Sequence, residues 1–128
     1  MDPDAAQWIA KGDEDLLVVD ILVKAKGPTG IACFHCQQAV EKYLKACLSA
    51  AGEVPAKTHD LEYLADRLIA RGISLAIDRE LLAGLRLYAI APRYPGFGDA
   101  EAERDLSRLH QFVRDVRAIV LVQLVTPP

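Results

Sequence analysis

The segment Cys33-Phe34-His35-Cys36 carries the residue types of a metal site, because two cysteines with a histidine between them supply soft ligands at a familiar spacing. The sequence has only one more cysteine and no second pair of this spacing. In a helix, both cysteines would share one apolar face, at spacings of three and four residues, with Val40, Tyr43 and Cys47. Free cysteine is among the most often buried residue types. The pattern therefore favours cysteines packed in a core over a metal site.

A second candidate site pairs Arg104 with His110. A histidine can take a proton from a ribose 2′-hydroxyl or give one to a leaving oxygen, and a guanidinium can bind the phosphate through two hydrogen bonds. The helical register opposes this pairing, since six residues at about 100° each leave the two side chains about 120° apart. His110 aligns instead with a polar stripe of Ser107, Arg114 and Arg117. A solvated helix face is the favoured interpretation, and catalysis is the alternative.

A third candidate is a polar cluster drawn from three segments. One face of the helix that contains the cysteines carries His35, Gln38, Lys42 and Lys45, and two later loops add His59, Arg93 and Tyr94. Such side chains bind phosphate through charge-assisted hydrogen bonds. For Lys42 and Lys45 an anion site and a solvated face both stay open. For His59 and Arg93 a structural role at helix ends is favoured.

Two smaller features have an ordinary interpretation beside a functional one. Asp20 interrupts an apolar run and could support a catalytic histidine or arginine, but it shares a helix face with Asp13 and Lys24, which favours an exposed edge. Gly96-Phe97-Gly98 could present backbone N–H groups to a phosphate, but a single G-x-G without a strand before it favours a turn.

The composition is that of one folded domain with an apolar core. The chain has 128 residues, of which 52% are hydrophobic, and its formal net charge is −3. A slightly acidic chain has no basic long-range field, so any phosphate-binding surface must be local. No apolar run reaches the roughly 18 residues of a transmembrane helix, so no membrane contact is expected. An acidic N-terminus and three cysteines without a disulfide framework favour the cytoplasm.

Apolar periodicity and helix-ending residues divide the chain into helices, without convincing two-residue alternation between them. The predicted helices run from an N-cap at Asp2 to Gly27, from Gly30 to Ala51, from a cap at Thr58 or Asp60 to before Gly72, from Asp78 to before Pro92, and from Asp99 to the Thr126-Pro127-Pro128 end. Residues 73–77 are ambiguous, and residues 93–98 are an irregular loop. We therefore predict one all-α domain over residues 1–128, an antiparallel up-and-down bundle of four to five helices.

Three separated motifs make the sequence resemble the HEPN family, named for higher eukaryotes and prokaryotes nucleotide-binding. They are Ala32-x-x-His35-x-Gln37-Gln38-Ala39-Val40-Glu41-Lys42-Tyr43-Leu44-Lys45-Ala46, then Thr58-His59-Asp60-Leu61, then Tyr88 followed by Arg93-Tyr94-Pro95. Trp8-Ile9 and Leu16 fit the first helix of the family, so the resemblance extends along the whole chain.

The resemblance implies a compact helical bundle similar to the C-terminal domain of kanamycin nucleotidyltransferase, commonly as a homodimer. Many members are encoded beside a minimal nucleotidyltransferase, and some of these pairs act as toxin and antitoxin. In one branch the domain is a metal-independent endoribonuclease, in which an Arg and a His four to six residues apart meet their counterparts across the dimer. Arg104 and His110 fit that spacing.

The favoured hypothesis is a non-catalytic homodimeric module that interacts with a nucleotide or RNA and works with a neighbouring nucleotidyltransferase. No metal or cofactor is expected, and a nucleotide such as ATP is the ligand considered for the polar cluster. The alternative is an endoribonuclease toxin that uses Arg104 and His110 across a dimer. A second alternative is a helical interaction protein that binds no nucleotide.

Overall fold

The computed structural model describes residues 1–126, and all regular structure in them is helical. The five α-helices are α1 (Pro3–Ala25), α2 (Thr29–Ala50), α3 (Leu61–Ala70), α4 (Arg79–Gly84) and α5 (Ala100–Val125). Two short 3₁₀ turns, Leu85–Tyr88 and Ala91–Arg93, lie between α4 and α5. The predicted all-α bundle is confirmed.

Most helix boundaries follow from local capping interactions. The Asp2 carboxylate accepts a hydrogen bond from the backbone N–H of Ala5 at 2.9 Å and begins α1. Asp60, rather than Thr58, caps α3, and Asp78 caps α4. Gly52 has a φ of 87° just after α2, the left-handed conformation that commonly ends a helix and that glycine adopts without strain. These predicted ends are confirmed.

The fourth helix is shorter than predicted, because α4 ends at Gly84 and not before Pro92. Glycine is a poor helix former, and Gly84 is the last residue of α4. The 3₁₀ turn that follows α4 buries Tyr88, whose hydroxyl donates to Asp105 Oδ2 at 3.0 Å. Asp99 precedes α5 as predicted. Its backbone oxygen accepts a hydrogen bond from the N–H of Glu103, but its side chain caps no backbone N–H of the helix.

α2 is the central helix and packs against α1, α3 and α5. Its apolar face is fully or almost fully buried, as predicted, with Cys33, Cys36, Val40, Tyr43 and Cys47 in one core. Burial raises the pKa of the Cys33 and Cys47 thiols to about 12, so these side chains are neutral and behave as small apolar groups. The core interpretation of the cysteines is confirmed.

The connection between α2 and α3 runs back alongside α2. His59, just before α3, contacts Glu41 near the middle of α2, whereas Arg67 near the end of α3 contacts Glu53, which follows α2. This path brings the Thr58-His59-Asp60 motif to the side of the central helix, although seven residues, 51–57, separate it from the end of α2.

The contact between α1 and α2 is closest at Gly12. A Cβ atom at this position would lie 2.6 Å from Cε1 of Tyr43, well inside van der Waals contact. The Tyr43 ring is fully buried and its hydroxyl donates to Asp13 Oδ1 at 2.6 Å, so the ring has little room to move. The glycine in the middle of α1 therefore lets the two helices approach.

We expect Gly12→Ala to lower the free energy of unfolding by about 1–3 kcal/mol, the usual cost of overpacking a core. The loss should occur although alanine is favoured over glycine in a helix by about 1 kcal/mol. Urea unfolding measures it, with Gly84→Ala as the control, because a Cβ atom at Gly84 meets no neighbour within 4 Å. The control should be as stable as the wild type or slightly more stable. A Gly12→Ala variant as stable as the control would contradict this account.

Candidate functional site

An open groove lies along the first half of α5 and contains both predicted catalytic residues. It is an open surface along α5 alone, lined by Arg104, Asp105, Ser107, Arg108, His110, Gln111 and Arg114. Arg104 and His110 thus line one open surface, and their joint action on one phosphate stays a prediction. Side chains about 120° apart around one helix can border the same groove when it is wide and open.

A carboxylate from α1 fixes His110 at the edge of this groove. His110 Nε2 lies 2.6 Å from Asp20 Oδ1, and Arg114 Nη2 donates to the same oxygen at 3.0 Å. When Nε2 carries the proton and donates it to Asp20, Nδ1 is left as a hydrogen-bond acceptor. Burial raises the pKa of Asp20, but the hydrogen bonds from His110 and Arg114 outweigh burial and bring it below its usual value. The carboxylate therefore stays charged beside the ring.

Asp20 is thus more than the exposed edge that the helical register favoured. Its side chain is 41% exposed, yet it joins α1 to α5 through His110 and Arg114. The alternative interpretation, an acidic residue that supports a histidine or arginine, describes its contacts better. The register of α1 alone missed this because both partners lie on a helix about 90 residues away in sequence.

Two of the groove arginines are available to an anion. Arg104 is exposed and forms no salt bridge within residues 1–126. Arg108 is 68% exposed and lies 3.5 Å from Asp105, at the limit of a hydrogen bond. Exposed ion pairs of this kind contribute little free energy, so a phosphate could replace the contact at low cost.

Arg117, the last member of the predicted polar stripe, is committed to holding the helices together. Its Nε donates to Asp13 Oδ1 at 2.8 Å and its Nη2 to Asp13 Oδ2 at 3.1 Å, while the Tyr43 hydroxyl donates to Oδ1 as well. Burial raises the pKa of Asp13, but the hydrogen bonds from Arg117 and Tyr43 bring it below its usual value. Arg117 therefore joins α5 to α1 and does not line the groove.

The predicted polar cluster on α2 does not form one site. His35 Nδ1 lies 2.8 Å from Asp15 Oδ1, and Lys42 bonds to the other oxygen of the same carboxylate. Lys45 is buried, and its Nζ donates to Glu41 Oε2 at 3.1 Å. A solvated face is therefore wrong for Lys45, and Lys42 is also engaged by a carboxylate of its own chain.

Gln37 and Glu41 belong to the first family motif but were not predicted as site residues, although they hold this region together. His59 Nδ1 lies 2.7 Å from Glu41 Oε1, and Gln37 donates to the His59 backbone oxygen at 3.0 Å. Gln38 in turn donates to Gln37 Oε1 at 2.7 Å. The available signal was the spacing of four between Gln37, Glu41 and Lys45, which places all three on one side of α2. The structural role favoured for His59 agrees with these contacts.

Arg93 and Tyr94 lie apart from His59 and Lys45, beside the beginning of α2. The Arg93 guanidinium is 4.9 Å from the ring centroid of Phe34 and 5.9 Å from that of Tyr94, and both loop side chains are exposed. Gly96 has a φ of 93°, which agrees with the predicted turn. The ring of Phe97 packs edge-on against Tyr88 at 6.1 Å, so this residue anchors the loop.

Within residues 1–126, no three histidine, cysteine or acidic side chains come together as a potential metal site. In the same part of the chain, no helix has the length and hydropathy to cross a bilayer. The side chains that line the α5 groove are those of arginine, histidine, aspartate, serine and glutamine.

Fold and groove together define a small helical bundle with a local cationic surface. The HEPN domain family matches residues 5–123, so this protein belongs to the HEPN family. It is similar in structure to an archaeal HEPN homologue solved by crystallography, with a TM-score of 0.65 and 20% sequence identity. That likeness covers 96% of this chain and 99% of the archaeal one, and it establishes a shared fold. No curated protein matches the sequence.

Proposed function

We propose that this HEPN protein binds RNA along the α5 groove. The observation that carries the proposal is the convergence of Arg104, Arg108, Arg114 and His110 on one open surface, with Arg104 and Arg108 exposed. Contacts between arginine and phosphate supply most of the affinity for a nucleic acid backbone. A net charge of −3 does not oppose this, because the contacts are local.

The α2 face is a weaker candidate for a phosphate or nucleotide such as ATP. His35 and Lys42 share Asp15, and Lys45 is bonded to Glu41. A phosphate would have to displace carboxylates of the same chain from partly or fully buried cations, which costs more than binding to exposed arginines. RNA at α5 is for this reason the ligand proposed.

We expect Arg104→Glu to weaken the binding of a short single-stranded RNA by roughly tenfold or more at low salt, because one phosphate contact is lost and a repulsive charge is added. Fluorescence anisotropy of a labelled RNA measures the change. The control is Arg86→Glu, since Arg86 is 76% exposed and does not line the groove. Equal losses of RNA affinity in both variants, or no RNA binding by the wild type at low salt, would contradict the proposal.

A second candidate function is metal-independent RNA cleavage at the same groove. The specific observation in its favour is the Asp20 carboxylate bonded to His110 Nε2, which leaves Nδ1 to accept the proton of a ribose 2′-hydroxyl. The 2′-oxygen would then attack the adjacent phosphorus, and the bond from phosphorus to the 5′-oxygen would break as that oxygen takes a proton from water. His110 would release to solvent the proton that it took from the 2′-hydroxyl. Arg104 would stabilise the charge on the phosphate oxygens. The products are a 2′,3′-cyclic phosphate and a 5′-hydroxyl.

The test of cleavage is His110→Gln. Glutamine keeps an N–H for Asp20 but cannot transfer a proton, so the cleavage rate at saturating RNA should fall by a factor of about 10²–10⁴ while the unfolding midpoint changes little. End-labelled RNA is incubated with protein in the presence of a metal chelator and the products are separated on a gel. If the wild type leaves the RNA intact under these conditions, cleavage is excluded and RNA binding stands alone.

We also propose that the protein is a homodimer and that it works with a nucleotidyltransferase encoded nearby, as a toxin and antitoxin pair would. Support for the dimer comes from large exposed apolar side chains on two neighbouring helices: Leu17 and Ile21 on α1, and Val122 and Val125 on α5, each between 56% and 69% exposed. The two residues of each pair lie on one side of their helix, and contiguous exposed apolar surface commonly marks an interface.

Sedimentation equilibrium should show a dimer at micromolar concentration, and Ile21→Glu should shift it to a monomer, because a charge would be buried at the interface. Ile69→Glu on α3 is the matched control, since Ile69 is 55% exposed and Ile21 is 56% exposed.

Co-expression with the neighbouring nucleotidyltransferase should yield a larger complex. A monomeric wild type contradicts the dimer, and failure to co-purify contradicts the partner.

A further inference from the structure

A second cleft lies near the start of α1, whereas the α5 groove lies beside Asp20 towards its end. This cleft has a volume of about 890 Å³ and is formed by the first turns of α1, the last turns of α2 and the connection 52–57. Its size is that of small-molecule sites, which range from about 300 to 1,000 Å³. Trp8, Val54 and Pro55 contribute apolar surface to it, and Val54 is 91% exposed.

Lys45 gives this cleft a buried cation. Its side chain is 7% exposed and lines the cleft, and its Nζ lies 5.4 Å from the centroid of the Trp8 ring. An ammonium group has three N–H donors, and within residues 1–126 Nζ makes one hydrogen bond, to Glu41. Glu41 is in turn shared with His59. The remaining donors of a nearly buried cation are available to an acceptor that enters the cleft.

The other charges around the cleft restrict which anion fits. Lys11 and Lys57 also border it, but so do the carboxylates of Asp2, Asp4 and Glu53. Hydrogen bonds from Arg67, followed by Arg71, hold the pKa of Glu53 at about 2 despite opposing desolvation, so this carboxylate stays ionised. The Asp2 and Asp4 carboxylates repel a phosphate dianion more strongly than a singly charged group, whereas Arg67 and Arg71 balance the charge of Glu53. A carboxylate with one negative charge is the better match.

We propose that this cleft binds a small planar aromatic carboxylate, whose ring packs against Trp8, Val54 and Pro55 and whose carboxylate accepts hydrogen bonds from Lys45. Aromatic stacking favours a planar ring beside an indole, and a hydrogen bond between an ammonium and a carboxylate is charge-assisted. The site is independent of the α5 groove and of RNA.

The chain has one tryptophan, so a ¹⁵N-labelled sample gives one indole N–H signal in an NMR spectrum, and that signal reports on the cleft. Titration with trans-cinnamate at neutral pH should move this signal to saturation. Three compounds serve as controls: cinnamamide has the ring without the charge, acetate has the charge without the ring, and AMP has a phosphate. Each should bind at least about tenfold more weakly than cinnamate. Binding of cinnamamide as tight as that of cinnamate overturns the proposal, and so does an unmoved indole signal.

Two charge reversals at exposed lysines test the position of the ligand. Lys57→Glu adds negative charge to the cleft and should weaken cinnamate binding by about fivefold, whereas Lys24→Glu, near the end of α1 and outside the cleft, should leave it unchanged. Lys45→Met removes the ammonium directly and should abolish binding, provided that its amide spectrum is that of a folded chain. Equal effects of the Lys57 and Lys24 substitutions would overturn the proposal. Because no RNA is present, these outcomes are separate from those of the α5 groove.

Discussion

The position of α1 depends on three aspartates that each bond to another helix. Asp15 bonds to His35 and Lys42 on α2, and Asp20 bonds to His110 and Arg114 on α5. Asp13 contacts both helices, through the Tyr43 hydroxyl and the Arg117 guanidinium. Each ion pair contributes modest free energy, because most of these groups are partly exposed. Their main effect is to fix the position of α1 along its axis, since a shift would leave several charges without partners.

The same pairing decides which cations remain for a ligand. On α2 the conspicuous basic side chains are used within the chain: Lys42 by Asp15 and Lys45 by Glu41. On α5, Arg117 forms a salt bridge with Asp13, and Arg114 forms one with Asp20. Arg104 and Arg108 have the fewest ionic contacts within the described residues. An anion site inferred from residue types alone would fall on α2. The contacts favour α5 for the proposed phosphate site, because Arg104 forms no salt bridge in residues 1–126 and the pair of Arg108 with Asp105 is exposed.

Features that depend on neighbours in sequence could be predicted, and those that depend on neighbours in space could not. The caps at Asp2 and Asp78 and the left-handed Gly52 are local, so composition and spacing were sufficient. The buried cysteines followed from the period of one helix. The burial of Lys45 did not, because a helical register shows which residues share a face and not which segment covers it. Here that cover comes from α1 and from the connection after α2, neither of which the register of α2 describes.

His110 has two roles that constrain each other. Its ring lines the groove and also bonds to the carboxylate that joins α1 to α5. Arg114 is divided in the same way between the groove and Asp20. An anion bound between them would compete with Asp20 for Arg114 and so weaken one of the contacts that hold α1. Leu17 and Ile21 of the exposed apolar face lie within one turn of Asp20 on α1. A loss of RNA binding after substitution of Asp20 would therefore reflect both the groove and the contact between α1 and α5. Arg104 forms no salt bridge to another helix in residues 1–126, so its substitution tests the groove alone.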